Sequence, residues 1–126
     1  MPTILLVDND SFQASVCKSI LEQRFSDVQR VGDAAEALCL VEQPRFAGHL
    51  GLVITDLNMP GIGSPAFVAE LHVRLPRVPV LVLGGDAEAA AGYDARWVRF
   101  LSRPFSDQDI LTAAGDLLAL HAWEAA

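Results

Sequence analysis

Four short apolar runs in the chain each stop at residues able to do chemistry. Leu5-Leu6-Val7 runs into Asp8-Asn9-Asp10, and Leu52-Val53-Ile54 into Thr55-Asp56. Leu81-Val82-Leu83 runs into Gly84-Gly85-Asp86, and Trp97–Leu101, apolar but for Arg99, into Ser102-Arg103-Pro104. An oily strand gains nothing from a carboxylate at its end, and a buried carboxylate is costly without a positive or hydrogen-bonding partner. Acids from separate strands that converge near one cation make an oxygen-rich site, the chemistry a hard divalent ion such as Mg²⁺ prefers. The competing explanation is that each acid caps the next helix. It suits Asp10 and Asp86 best, and Asp8 and Asp56 least, because these two directly end apolar strands.

The elements that must hold these residues are read from periodicity. Strand patterns cover Thr3–Val7, Val28–Val31, Gly51–Thr55, Val78–Leu83 and Trp97–Leu101. Between them lie helical patterns. Asp10-Ser11 caps a first helix with Phe12, Val16, Ile20 and Leu21 at helical spacing. Asp33 and Glu36 have capping-box spacing before Ala37, Leu38 and Val41. Ser64-Pro65 reads as a cap followed by proline at the first helical position. Residues 84–96 are ambiguous, a short Ala-rich helix at most. Ser106 and Asp109 cap a last helix striped by Ile110, Ala114, Leu117, Leu118 and His121. Strict strand–helix alternation with oily strands predicts an α/β fold, a five-stranded parallel sheet with helices on both faces and right-handed crossovers. In such sheets the functional crevice lies at the strands' carboxyl ends, where the acids are.

The bulk properties narrow the function. The chain's 126 residues are one domain by length, taken as 1–126, and about half are apolar. A net charge of −7 without a Lys/Arg cluster argues against direct nucleic-acid binding. No apolar run has membrane-spanning length and no basic leader precedes the first strand, so a cytoplasmic protein is expected. The first strand begins at Thr3, which puts the domain at an N-terminus or at a cut. Cys17 and Cys39 are expected as buried, reduced core residues, and His49, His72 and His121 as surface or helix-flank residues.

"ILLVDND", "LVITDLNMPG" and "FLSRPF", in this order, resemble the receiver domain of bacterial two-component response regulators. The resemblance covers essentially the whole chain and implies the flavodoxin-like strand order 2-1-3-4-5. It implies that Asp56 accepts a phosphoryl group from a histidine kinase or phosphotransfer protein, with Mg²⁺ neutralising the phosphoryl oxygens. It makes Asp8, Asp56 and the backbone carbonyl of Asn58 the metal ligands, Arg103 with Gly84 and Gly85 the phosphate-binding set, and Phe100 the aromatic switch position. An equal alternative for Phe100 is an edge-strand aromatic packed on the last helix. The peptide before Pro104 is expected to be cis, and the module is a signalling protein rather than an enzyme. Its partners would be the phosphodonor and a downstream protein or output domain. Homodimerisation through the last two strands and helices is common in the family and stays open.

The chain departs from the family where its chemistry resides. Asn9 stands where a second acid is usual; its amide oxygen can still ligate Mg²⁺ but brings no charge. Asp10 could compensate as a ligand, but one step further on it is expected to point toward the cap of the first helix. Gly84 stands where a Ser or Thr hydroxyl is usual. Arg103 replaces Lys, keeps the charge, and can pair with Asp8 or Asp56. The stretch between Gly84 and Arg103 is short against the family, and "PRFAGHL" is slightly long and expected as an exposed loop. Two mechanisms follow: phosphorylation of Asp56 with Mg²⁺ bound weakly, or a phosphorylation-independent interaction module with Mg²⁺ weak or absent. Loss of metal charge and of the hydroxyl favours the second. "DNDSF" also fits haloacid-dehalogenase-like phosphatases, with Asp8 as nucleophile and Asp10 as acid/base, but no later acid pair completes that site. An FMN site is disfavoured because Asp8 and Asp10 would repel the phosphate.

Overall fold

In the computed structural model, which describes residues 2–56, 61–84 and 96–125 (the side chains of 121–125 excepted), the apolar runs form one parallel sheet. Its order is β2-β1-β3-β4-β5. The strands are β1 (Thr3–Val7), β2 (Val28–Val31), β3 (Leu50–Asp56), β4 (Val80–Leu83) and β5 (Val98–Leu101). The central strands β1, β3 and β4 are buried on both faces, which is why they read as unbroken apolar runs rather than alternating ones. β3 is one residue longer at each end than its pattern suggested. β4 starts after Pro79, which has no N–H for the ladder and serves it only through its carbonyl, accepting from Val53 N.

Two cores flank the sheet. One packs Leu5, Val53 and Val80 against α2 (Ala34–Val41) and α4 (Ser64–Arg74). The other packs Ile4, Leu52, Ile54 and Leu81 against α1 (Ser11–Glu22) and the last helix, α5 (Asp107–Ala125). Ser106 and Asp109 form a full capping box at α5: each backbone N–H is accepted by the other's side chain. Asp33 caps α2 through Glu36 N, while Glu36 reaches one residue further back than the motif predicts, to Gly32 N.

Five local expectations are corrected. The "PRFAGHL" stretch contains a short helix, α3 (Pro44–Ala47), because proline in a first turn brings a preset φ and loses no needed donor. At α4 the N-cap is Gly63, and Ser64 is the buried first helical residue; Pro65 still falls in the first turn, where its missing N–H costs nothing. On α1 the expected Leu21 is buried and Ile20 packs on the core, but Ala14 and Cys17 complete the buried face in place of Phe12 and Val16, which are 80% and 46% exposed. Small Ala14 and Cys17 let the helix lie close on the sheet and turn the larger residues outward. Cys39 is exposed, and only Cys17 of the two thiols is buried. Phe100 packs with the α2/α4 core rather than on the last helix, since it shares the sheet face of Val98, also in that core. The expected short helix within 84–96 lies almost wholly outside the described residues.

Candidate functional site

Register builds the site. Val7 lies beside Thr55 in the β1–β3 ladder, so the next residues, Asp8 and Asp56, come off neighbouring strands at the same level. Asp56 is level with Leu83, and Leu83 with Leu101, which brings Gly84 and the Ser102-Arg103 turn to the same rim. The Gly84 N–H donates to Leu101 O. The Arg103–Pro104 peptide is cis.

Asp8 is buried at 2% exposure. Its Oδ1 accepts the Asp10 N–H at 2.9 Å and its Oδ2 accepts from Gln13 Nε2 at 3.2 Å. Its backbone carbonyl accepts from Arg30 Nε and Nη2, at 3.1 and 2.6 Å. Burial pushes the Asp8 pKa above its ordinary value; the Asp10 N–H pulls it down, the Asp56 and Asp10 carboxylates add to the rise, and Arg30 opposes it. The Asp56 side chain is 14% exposed, and its Oδ2 accepts from Gln13 Nε2 at 2.8 Å. Arg103 Nη2 lies 3.4 Å from the same oxygen, and its guanidinium carbon sits 5.6 Å from the centroid of the Phe105 ring. Of the two pairings open to Arg103, the one with Asp56 is made.

Asp10 faces elsewhere. Its Oδ1 accepts from Phe12 N and Gln13 N, both at 3.0 Å, which makes it the N-cap of α1. Its Oδ1 is engaged at the helix terminus and not with Asp8 or Asp56. Asn9 is exposed. Gly84 has φ +104°, a backbone conformation that strains any residue with a Cβ, so the missing hydroxyl cannot be restored there without moving the turn. Asn58 and Gly85 lie outside the described residues.

Two participants escaped sequence reasoning, Gln13 and Arg30. Gln13 carried a signal: Asp10-x-x-Gln13 has capping-box spacing, in which the glutamine oxygen would accept the cap's own N–H. Asp8 Oδ1 already holds that N–H, so the Gln13 amide is released toward the carboxylates.

Both carboxylates reach one nitrogen, at 3.2 and 2.8 Å. Ligands of Mg²⁺ stand at about 2.0–2.1 Å, so small movements would bring both onto one ion, and two ionised oxygens suit a hard cation. The pair fits the metal, with less charge than three acids would give. Among the described residues no group of three His, Cys, Asp or Glu side chains gathers to hold one. Beside the pair, a cleft of about 300 Å³ opens between α1 and α5, lined by Phe12, Val16, Ile20, Phe105 and Ile110.

A family model described as "Response regulator receiver domain" matches residues 4–115. The chain is 28% identical, over 92% of its length, to the "Probable transcriptional regulator ycf29" of Pyropia yezoensis, of which it covers 53%. It is 28% identical, again over 92% of its length, to "Sensor kinase CckA" of Brucella abortus, of which it covers 12%. The chain thus spans about half or less of these curated relatives. Among solved structures, the receiver domain from Hybrid Histidine Kinase CckA matches at a TM-score of 0.74 and 28% identity, over 92% of this chain and 98% of that one. The signal receiver domain of an HD domain-containing protein from Pseudomonas fluorescens matches at 0.81 and 27%, over 96% and 97%. Sheet order, the acid pair at its rim and this family match agree, and the chain belongs to the response regulator receiver domain family.

Proposed function

We propose that this chain, taken as one domain over 1–126, is an atypical receiver in which Asp56 is the phosphoacceptor position but the surrounding site is degenerate, so that it acts chiefly as a protein-interaction module. The observation that carries this reading is the state of Asp56 Oδ2, which already accepts from Gln13 Nε2 at 2.8 Å with Arg103 Nη2 at 3.4 Å. To be phosphorylated, a carboxylate oxygen of Asp56 must attack phosphorus while the phosphodonor's bond breaks, giving an acyl phosphate. An oxygen held by two donors is a poorer nucleophile. Arg103 can pair with the incoming phosphoryl oxygens through the rest of its fork while Nη2 stays near Asp56.

Asp8, Asp56 and the Asn58 carbonyl would hold Mg²⁺, whose chemistry there is to neutralise phosphoryl oxygens. With Asn9 in place of an acid, that charge is weakly matched and Mg²⁺ is bound weakly or not at all. Gly84 offers no hydroxyl to report a phosphoryl group to Phe100, the switch position. Of the Gly84-Gly85 pair, the Gly84 N–H is given to Leu101 O, so an anion would be taken by the Gly85 N–H, with Arg103.

The partners we assign are a histidine kinase or phosphotransfer protein, if Asp56 is used, and a downstream protein or output domain. The exposed Phe12 and Val16 beside the cleft supply an apolar surface for one of them. A cytoplasmic setting goes with such partners; no described helix is long and apolar enough to cross a membrane. The module is not assigned catalysis of its own, and homodimerisation remains a secondary proposal.

Intact-mass measurement after incubation with acetyl phosphate and Mg²⁺ tests the reading. The expected result is a small phosphorylated fraction that vanishes in Asp56→Asn. Stoichiometric labelling of Asp56 would overturn the degenerate-site reading, and labelling on Asp8 would favour a phosphatase-like one.

A further inference from the structure

We propose that the Gln13 side-chain amide is a built-in stand-in for the divalent cation, cross-linking Asp8 to Asp56 so that a cation must displace it to enter. The inference rests on the assignment of this acid pair as the metal site. Its basis is one nitrogen in contact with two carboxylates, at 3.2 Å to Asp8 Oδ2 and 2.8 Å to Asp56 Oδ2. An amide NH₂ has two N–H donors, and ionised carboxylates only accept, so one amide satisfies one oxygen on each acid. Ion and amide would also compete for the same oxygens from the same space.

The amide is free for this duty because of the backbone just before it. In an ordinary capping box the residue three after the cap returns to the cap N–H. Here Asp8 Oδ1 accepts the Asp10 N–H at 2.9 Å, so Gln13 has no partner to return to. Its own backbone N–H is held by Asp10 Oδ1 at 3.0 Å, which fixes the first turn of α1 and aims the side chain at the strand ends. Asp8 therefore both vacates the capping role of Gln13 and receives its amide. A neutral amide orders the two acids without cancelling their charge, so the pocket is geometrically closed but remains attractive to cations.

The amide's hydrogen bonds must be given up when a cation enters, and a bond to a charged group has a net worth equivalent to about tenfold in an equilibrium. Gln13→Met keeps the length of the side chain and removes both donors. Titration of Mg²⁺ into the wild type, Gln13→Met and Asn9→Asp, followed by calorimetry and by amide shifts of residues around Asp8, reads the proposal directly. Gln13→Met is expected to bind Mg²⁺ on the order of tenfold more tightly, with the metal-free protein melting a few degrees lower because the same bonds are lost there and saturating Mg²⁺ restoring the difference. Unchanged affinity in Gln13→Met would overturn the proposal. So would weaker binding, which would make Gln13 Oε1 a ligand instead of a competitor. Asn9→Asp keeps the two questions apart. Tightening there with none in Gln13→Met leaves the degenerate-site reading standing and removes the stand-in. Tightening in Gln13→Met with none in Asn9→Asp supports the stand-in and contradicts the charge-count argument.

Discussion

Asp8 sits where its charge is least welcome, buried at the end of β1 beside a second carboxylate. Its folded pKa lies above the ordinary 3.8, so the unfolded chain loses this proton first as pH rises. Below 3.8 both states are protonated and Asp8 has no net effect on stability. Through the window above that value stability falls, and the full penalty applies once pH exceeds the folded pKa. Asp8→Asn, whose amide oxygen can still accept from Asp10 N, is therefore expected to melt a few degrees higher at pH 7 in EDTA. The gain should fade as pH falls toward 3.8, and thermal melts at several pH values check it. Asp8 and Asp56 were legible in the sequence because a charge directly after an apolar strand has no simpler explanation; Arg103, one residue further from its strand, was legible through the resemblance carried by "FLSRPF". Gln13 and Arg30 were not, since polar side chains on a helix and an edge strand are ordinarily explained by water. Only the occupied Asp10 N–H distinguishes Gln13 from a routine capping residue.

At the scale of elements, capping chemistry was the most readable signal. Asp10 and Asp33 cap their helices and the Ser106/Asp109 pair makes the full box its spacing implies, while Glu36 turns to Gly32 N and Gly63 takes the cap expected of Ser64. Asp109→Ala breaks one half of the box on α5 and is expected to cost about 1 kcal/mol, measurable by urea denaturation. Asp10→Ala is a poorer test, because its carboxylate also helps set the Asp8 pKa. The stripe read on α1 held at Leu21 and Ile20 and failed at Phe12 and Val16. Nearer the N-terminus of the helix the small Ala14 and Cys17 take the sheet-facing positions, where they permit closer packing. The side of Phe100 followed from strand alternation, which places it with Val98 and not with the residues facing α5.

At the scale of the whole molecule, alternation of oily strands with amphipathic helices determined the parallel sheet and both layers. The order β2-β1-β3-β4-β5 came from resemblance rather than periodicity, because no local pattern says which strands are neighbours. That order turns sequence-distant acids into a pair: β1 and β3 are adjacent, and their register puts Asp8 beside Asp56. In the proposed reading this pair is already satisfied by the protein's own donors and poorly coupled to the rest of the domain. Beryllofluoride with Mg²⁺, a phosphoryl mimic, tests it most directly when followed by fluorine and amide NMR. Incomplete occupancy of Asp56 is expected, with little shift in α5 or at Phe100. Full occupancy, with shifts spreading through β4, β5 and α5, would contradict it.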